Sequence, residues 1–360
     1  MRRMEYGGEL FDIRSNRPFT GSDQKLIPSD WQLYRSGRDA LRAFARLADR
    51  KRILMPALCC SSMVLPFRQS GWEVAFYRLK PDLSADETDV SGKLRSDDVL
   101  LYMRYFGIRP FSDAFLQGLR SSRHNILFLE DRTHDIWTKR IDTGFLPDAV
   151  AASLRKWAAL PEGGMLRTGL GTYPAKPDTC YGDLRREAME EKSRYLETGD
   201  ESLNLDAREN YSRAEQLLDI SSEPVRMAPQ YETLLCRLNF TAILEARQRN
   251  LCRLLERLAP LFVDGTAHLM TDAPERSGLY LPVLINNRDS VHRELISRRL
   301  YCPAAIWPEP PEAAGVCPVS HFVTEHMLSI LCDQRYNEAD MDFLADNLID
   351  ILRNSGGNPT

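Results

Sequence analysis

Residues 126 to 134 read Ile126-Leu127-Phe128-Leu129-Glu130-Asp131-Arg132-Thr133-His134. Four apolar residues run straight into two carboxylates. That is the pattern of a strand buried on both faces and ended where the chain leaves the core. Its neighbours repeat the theme. Short apolar stretches at 52–55 (closed by Pro56), 73–77, 99–103 and 149–153 read as further strands. Between them, 39–47 carries Leu41, Phe44 and Leu47 at helical spacing, 61–70 reads as a helix ended by Gly71, and 111–119 is helical. This alternation from 36 to 165 predicts an α/β unit with a largely parallel sheet and crossover helices. In such sheets ligands collect at the carboxyl ends of the strands. The end of the 126–129 strand, at Glu130 and Asp131, is therefore where chemistry is expected.

Further out, the pattern changes. Residues 182–218 are charged and polar, with Arg185, Glu187, Glu190, Glu191 and Lys192, and read as solvated surface helices or a mobile excursion. A single long helix is predicted over 231–261 from Leu234, Leu238, Leu244, Leu251 and Leu255. Then follow a strand (278–285), a helix (290–300), a Pro-rich loop (303–318) and a last helix (338–352). The expected division is a large unit over 1–245, with its polar helical excursion, and a small C-terminal α+β unit over 246–360.

The bulk numbers agree with an ordinary globular chain. It is 43% hydrophobic and 27% charged, and its net charge of -4 leaves no basic face for nucleic acid. The clusters Arg185–Arg186 and Arg298–Arg299 read as solvated faces. The first ten residues do not form a signal peptide, and no apolar run is long enough to span a bilayer, so a cytoplasmic protein is expected. The eight cysteines show no CxxC or zinc-ligand spacing; no metal is expected, and the thiols read as reduced, buried small hydrophobes.

Three constellations carry chemistry. Asp131, at a strand end, can pair with a protonated ring nitrogen, and His134 can reach a neighbouring phenolic oxygen; the plain alternative is an Asp capping a turn. Lys156, just past the 149–153 strand and before Gly163-Gly164, can be desolvated, which favours the neutral amine that imine formation needs. Ser153 can bind a phosphate, and the alternative for Lys156 is a surface lysine near a turn. Ser153-x-x-Lys156 also has the spacing of penicillin-recognising serine hydrolases, but the companion Ser-Asp-Asn and Lys-Thr-Gly elements are missing. Ser36-Gly37-Arg38 at the start of a helix offers free backbone N–H groups to a phosphate, or simply a helix cap.

Taken in order along the chain, these residues resemble the fold-type I pyridoxal phosphate (PLP) enzymes, and among them the DegT-type sugar aminotransferases. The resemblance rests on Ser36-Gly37 with Ala40-Leu41, Met55-Pro56-Ala57, the turn from Tyr102 to Gly107, Glu130-Asp131 with His134, and Lys156 with Gly163-Gly164. A weaker match is Met327-Leu328-Ser329-Ile330-Leu331. It implies an aspartate-aminotransferase-like fold and pyridoxal 5'-phosphate as cofactor. It also implies amino transfer to a keto-sugar nucleotide or related carbonyl compound, and a homodimer with active sites at the interface. Asp131 would hold the ring nitrogen, His134 the phenolic oxygen and Lys156 the aldehyde carbon. Ser36, Gly37, Arg38 and Ser153 would hold the phosphate, with Cys60 in the stretch that faces the ring. Arg335 is a candidate for a substrate carboxylate, against a structural arginine, and Trp157 reads as packing.

The sequence departs from the family at several points. Arg38 stands where Thr is usual. Leu58-Cys59-Cys60-Ser61 brings no ring-stacking aromatic. Ser153 lies closer to the lysine than in much of the family. The asparagine that reaches a partner's phosphate has no clear counterpart near Arg226-Met227. Another PLP-dependent lyase or dehydratase-type reaction, or a non-catalytic scaffold or regulator, therefore stands beside aminotransfer. A dehydratase of this family would carry histidine in place of Lys156.

Overall fold

The computed structural model describes residues 4–12, 19–20, 30–123, 125–136, 144–270, 277–304 and 309–355. In chain order, β1 (Tyr6–Gly7) precedes β2 (Trp31–Tyr34), which leads through α1 (Gly37–Leu47) to β3 (Arg52–Pro56). Then come α2 (Ser61–Gln69), β4 (Glu73–Tyr77), α3 (Glu87–Lys93), β5 (Val99–Met103), α4 (Asp113–Ser122) and β6 (Leu127–Asp131). The predicted alternation is present. α3 was not foreseen because it offers only Val90 to the core; its start is fixed by Asp86, whose side chain accepts from the Asp89 N–H.

β7 (Ala149–Ser153) and β8 (Gly164–Thr168) complete the sheet, in the order β2-β8-β7-β6-β5-β3-β4. β4, β3, β5, β6 and β7 are mutually parallel, and β8 runs antiparallel to both β7 and β2. β5 is buried along its whole length and β3 over its last four residues, as expected of strands covered on both faces. Their side chains form one core with α1, α2 and α4.

The polar stretch turns out to be a helical hairpin, α5 (Cys180–Thr198) and α6 (Glu201–Ile220). It is not simply a solvated face: Tyr181, Arg185, Ala214 and Leu218 are buried. Arg185 is only 1% exposed, contrary to the solvated reading, because its guanidinium pairs with Glu9 at 2.6 Å and lies against the Tyr181 and Tyr211 rings. The long helix expected over 231–261 is two, α7 (Pro229–Leu235) and α8 (Phe240–Val263). Asn239 starts the second, its side chain accepting from the Ala242 N–H at 3.1 Å.

β9 (His268–Leu269), β10 (Leu281–Leu284), α9 (Arg288–Ser297), β11 (Leu300–Tyr301), α10 (Pro318–His326), β12 (Met327–Ile330) and α11 (Glu338–Ser355) follow. β12, β10 and β9 form an antiparallel sheet whose core includes one face of α8 and α11. α10, not foreseen, begins where the predicted Pro-rich loop ends; residues 305–308 of that loop lie outside the described residues. β1 pairs with β11, and Tyr6 packs in this C-terminal core, so the first residues belong spatially with the last hundred. Among the described residues no helix is long and apolar enough to cross a membrane. Cys59, Cys302, Cys317 and Cys332 are buried as expected, but Cys180 and Cys252, on helices, and Cys236, in the turn after α7, are exposed.

Candidate active site

Three turns meet beyond the carboxyl ends of β2, β6 and β7. The first enters α1. Ser36 caps the helix: its hydroxyl accepts from the Asp39 N–H at 3.2 Å and donates to the Asp39 carboxylate at 2.7 Å. Asp39 is fully buried and also accepts from Arg35 (2.9 Å) and Arg42 (3.2 Å). The capping alternative is thus realised for the Ser36 side chain, and the anion-binding capacity of this turn lies in the first backbone N–H groups, at Gly37 and Arg38. The Arg38 side chain is held by ion pairs of its own. It turns to α6, where Glu215 (2.7 Å) and Asp219 (2.6 Å) hold its guanidinium.

Two glycines bring this turn onto the sheet. A Cβ at Gly164 would stand 1.9 Å from the Ser36 carbonyl oxygen, and one at Gly37 would stand 3.2 Å from the Ser153 Cβ. Only bare backbone allows α1 to begin against the ends of β7 and β8. Gly163 accepts from the Leu154 N–H at 2.6 Å and donates to the Arg35 carbonyl at 3.0 Å, tying the lysine turn to the helix entry.

The second turn follows β6. Asp131 is buried, and one of its oxygens accepts from the Thr133 N–H at 2.8 Å. Burial pushes its carboxyl upward, against the Thr133 bonds and the charge of Lys156. The third turn is a single 3-10 turn, Leu154–Lys156. Burial lowers the Lys156 ammonium from its ordinary value, opposed by Cys60 and Asp131. Ser36, Gly37, Arg38, Cys60, Asp131, Ser153 and Lys156 thus line one cavity.

His134 and Arg335 do not join that lining. The His134 ring is fully buried beside Phe106, at a centroid distance of 5.0 Å, and its backbone oxygen accepts from the Ser277 hydroxyl at 2.5 Å. Burial, then Lys156, hold it well below the usual histidine range. Arg335 is a clamp. It grips both oxygens of Asp333 (2.8 and 2.9 Å) and the carbonyls of Gly7, Gly8 and Glu9. With all five N–H groups committed, it has none left for a substrate carboxylate, so the substrate role expected of it is not supported.

A second cavity, of about 260 Å³, opens on the other side of Lys156, lined among others by Glu9, Arg155, Arg247, Tyr280 and Asp333. None of these was singled out in the sequence. Arg247 could have been, since a cation between Ile243 and Leu251 on the buried face of α8 demands partners. It is fully engaged too: with Gln334 (2.7 Å), the Gly278 and Leu279 carbonyls, and the carbonyls of Lys156 and Trp157, both at 3.2 Å. Trp157 is buried packing, as read, and donates to the Thr133 carbonyl at 2.8 Å. Thr133, Met103 and Ala151 also line the first cavity and were missed.

This mixed α/β architecture is the fold of solved aminotransferase structures, matched over nearly the whole chain. Among solved structures, the chain is similar to a DegT DnrJ EryC1 StrS aminotransferase from Brucella abortus, with a TM-score of 0.58 and 16% identity over 99% of this chain and 92% of that one. NtdA from Bacillus subtilis with bound cofactor PMP superposes with a TM-score of 0.66 at 13% identity, over 98% and 86%. Helicobacter pylori PseC, an aminotransferase involved in the biosynthesis of pseudoaminic acid, gives 0.60 at 14% identity, over 98% and 99%. No protein-family model matches the sequence, and no curated protein matches it either.

Proposed function

We propose that the chain is a PLP-dependent aminotransferase that moves an amino group from an amino-acid donor to a keto-sugar nucleotide or related carbonyl compound. The observation that carries this is a half-buried amine, Lys156, and a buried carboxylate, Asp131, on one cavity at the strand ends of this fold. Withdrawing either from water costs free energy, and a purely structural role gives no reason to set both on one cavity.

The donor set fits the cofactor. Asp131 stands where a carboxylate can hold a proton on a ring nitrogen. The N–H groups at the start of α1, with Ser153, form an oxyanion cradle, and the small side chains of Ala151 and Ala152 leave room for a flat ring. Bound PLP supplies an electron-accepting ring. The protein's part is to keep Lys156 neutral enough to attach a carbonyl and, once released, to carry a proton between neighbouring atoms. His134 is buried behind the Asp131 turn, outside the lining of the cavity. A homodimer with its cavities completed at the interface is part of this reading, and sedimentation equilibrium checks it.

The test is an absorbance spectrum of the purified protein with added PLP, before and after borohydride, with peptide mapping of the reduced adduct. A coloured protein with the adduct on Lys156 is expected. A colourless protein with no adduct refutes the reading.

A further inference from the structure

Three arginines line the second cavity: Arg155, Arg247 and Arg335. Counting donors separates them. Arg247 and Arg335 have every N–H directed at a carbonyl or carboxylate of the protein. Arg155 is different. Its Nη1 donates to the Tyr181 hydroxyl and lies 3.5 Å from Glu215. Its guanidinium also lies over the Tyr181 ring at 5.5 Å, so its plane is fixed from one side. Its Nε is buried, and among the described residues nothing accepts from it; Nη2 has no acceptor either. Nε and Nη2 are the two donors of the fork edge that matches a carboxylate or phosphate. Arg155 lines both cavities and is next in sequence to Lys156.

The wall of this cavity already carries a carboxylate set among cations. Glu9, on the wall of the same cavity, is held down to about 2, although burial works against this, by Arg185, Arg155 and Lys156. Glu9 holds the Arg185 Nη2 at 2.6 Å, and Arg185 is not among the residues that line the cavity. The fork edge of Arg155 is what is left for an incoming group.

We propose that Arg155, rather than Arg335, grips the carboxylate of the amino-acid donor in the second cavity. The proposal rests on the reading of Lys156 as the cofactor-bearing lysine. An orientation-locked guanidinium beside that lysine fixes the donor so that its amino group meets the reacting centre and its carboxylate points away from it. The cradle at the start of α1 is left to the other oxyanion, the phosphate.

The experiment uses the PLP-loaded full-length protein, its Arg155→Gln and Arg155→Lys variants, and two amines: L-glutamate and an amino alcohol of similar size without a carboxylate. The readouts are the visible absorbance of the lysine-bound cofactor, its retention on dialysis, and the change in absorbance on titration with each amine. The expected result is that Arg155→Gln keeps its colour and binds glutamate roughly 10- to 100-fold more weakly, the usual worth of a charge-assisted pair. The amino alcohol should titrate as in the wild type, and Arg155→Lys should restore part of the glutamate affinity. Loss of cofactor retention with an unchanged preference for glutamate over the amino alcohol would assign Arg155 to the phosphate and overturn the proposal. An unchanged glutamate titration overturns it as well. Should the Gln variant not fold, the Lys variant carries the same comparison. A wild type that takes up no colour defeats the Lys156 reading itself, an outcome distinct from the other two.

Discussion

Replacing Glu162 by Gln should change the pH dependence of stability in a way whose sign and size follow from its surroundings. Glu162 is fully buried in the loop between the lysine turn and β8. One of its carboxyl oxygens accepts from the Ala228 N–H at 2.7 Å, and the other has no hydrogen-bond partner among the described residues. Burial raises the carboxyl from 4.5 to about 7, against the Ala228 bond and Arg35. The folded protein thus holds this proton more tightly than the unfolded chain. Its contribution is fully present below about pH 4.5, declines as the pH rises, and is lost above about 7. At roughly 1.4 kcal/mol per tenfold change in proton affinity, the total is about 3 kcal/mol. Gln has the shape of the protonated acid. Urea unfolding at pH 5 and pH 8 should therefore show the variant more stable at pH 8 by up to about that amount, and close to the wild type at pH 5. Parallel curves for the two proteins across this range would refute the argument. The same charge reaches the site: Glu162 adjoins Gly163, whose carbonyl holds the Leu154 N–H of the lysine turn. Cofactor retention should therefore weaken over the same interval in the wild type and not in the variant.

Other outcomes follow from the same contacts. Gly164→Ala would place a Cβ 1.9 Å from the Ser36 carbonyl, so β8 and the α1 entry must part; a loss of about 3 kcal/mol or more in urea unfolding, together with weaker phosphate binding, is expected. Arg335→Gln strands the buried Asp333 carboxylate and frees the Gly7–Glu9 carbonyls, which should cost about 3–5 kcal/mol and expose the N-terminal segment to limited proteolysis. Asp131→Asn removes a buried charge while keeping the side chain's shape. Thermal unfolding should show no loss of stability, while cofactor affinity measured by absorbance falls roughly tenfold or more, which separates a functional carboxylate from a structural one.

The central sheet was legible because its strands are short, apolar and buried on both faces, as at 99–103 and 149–153, so each announces itself without its neighbours. β8 was not. Gly163 and Gly164 read as a turn, yet Gly164 opens a strand, because the backbone there must pass within contact of Ser36. That Asp131, Ser153 and Lys156 would come together at strand ends was legible because strand ends can be found locally, and the three line one cavity. The partners of Arg38 and Arg335 were not legible, for a shared reason. A guanidinium's partner is chosen by distant chain: Glu215 and Asp219 on α6 for Arg38, Asp333 and the Gly7–Glu9 carbonyls for Arg335. Nothing near either arginine in sequence marks its N–H groups as spent. The helical hairpin was misjudged for a related reason: its charged residues pair inward with Glu9 and Arg38, so composition alone suggested water where there is protein.

The second cavity explains why Lys156 must be held from two sides. Its amine faces Asp131 and Cys60 at the sheet's edge, where burial makes the ammonium easier to deprotonate. Its carbonyl is held from the opposite direction by Arg247 of α8, and Gln334, which accepts from Arg247, donates at 2.8 Å to the Trp157 carbonyl. Both reach the lysine turn from elements that pack with the C-terminal core. Any displacement of α8 or of the 332–336 loop would carry the Lys156 backbone with it. Yet Leu154, two residues earlier, is hydrogen-bonded to Gly163 on the sheet side. The lysine thus sits on a short 3-10 turn spanning two bodies of structure, and a substrate binding in the second cavity would press on the same residues that set its position. The placement of the amine, and with it the proton transfers proposed for it, depends on contacts from both directions, so substitutions at Arg247 or Gln334 should move the cofactor's absorbance although neither residue lines the first cavity.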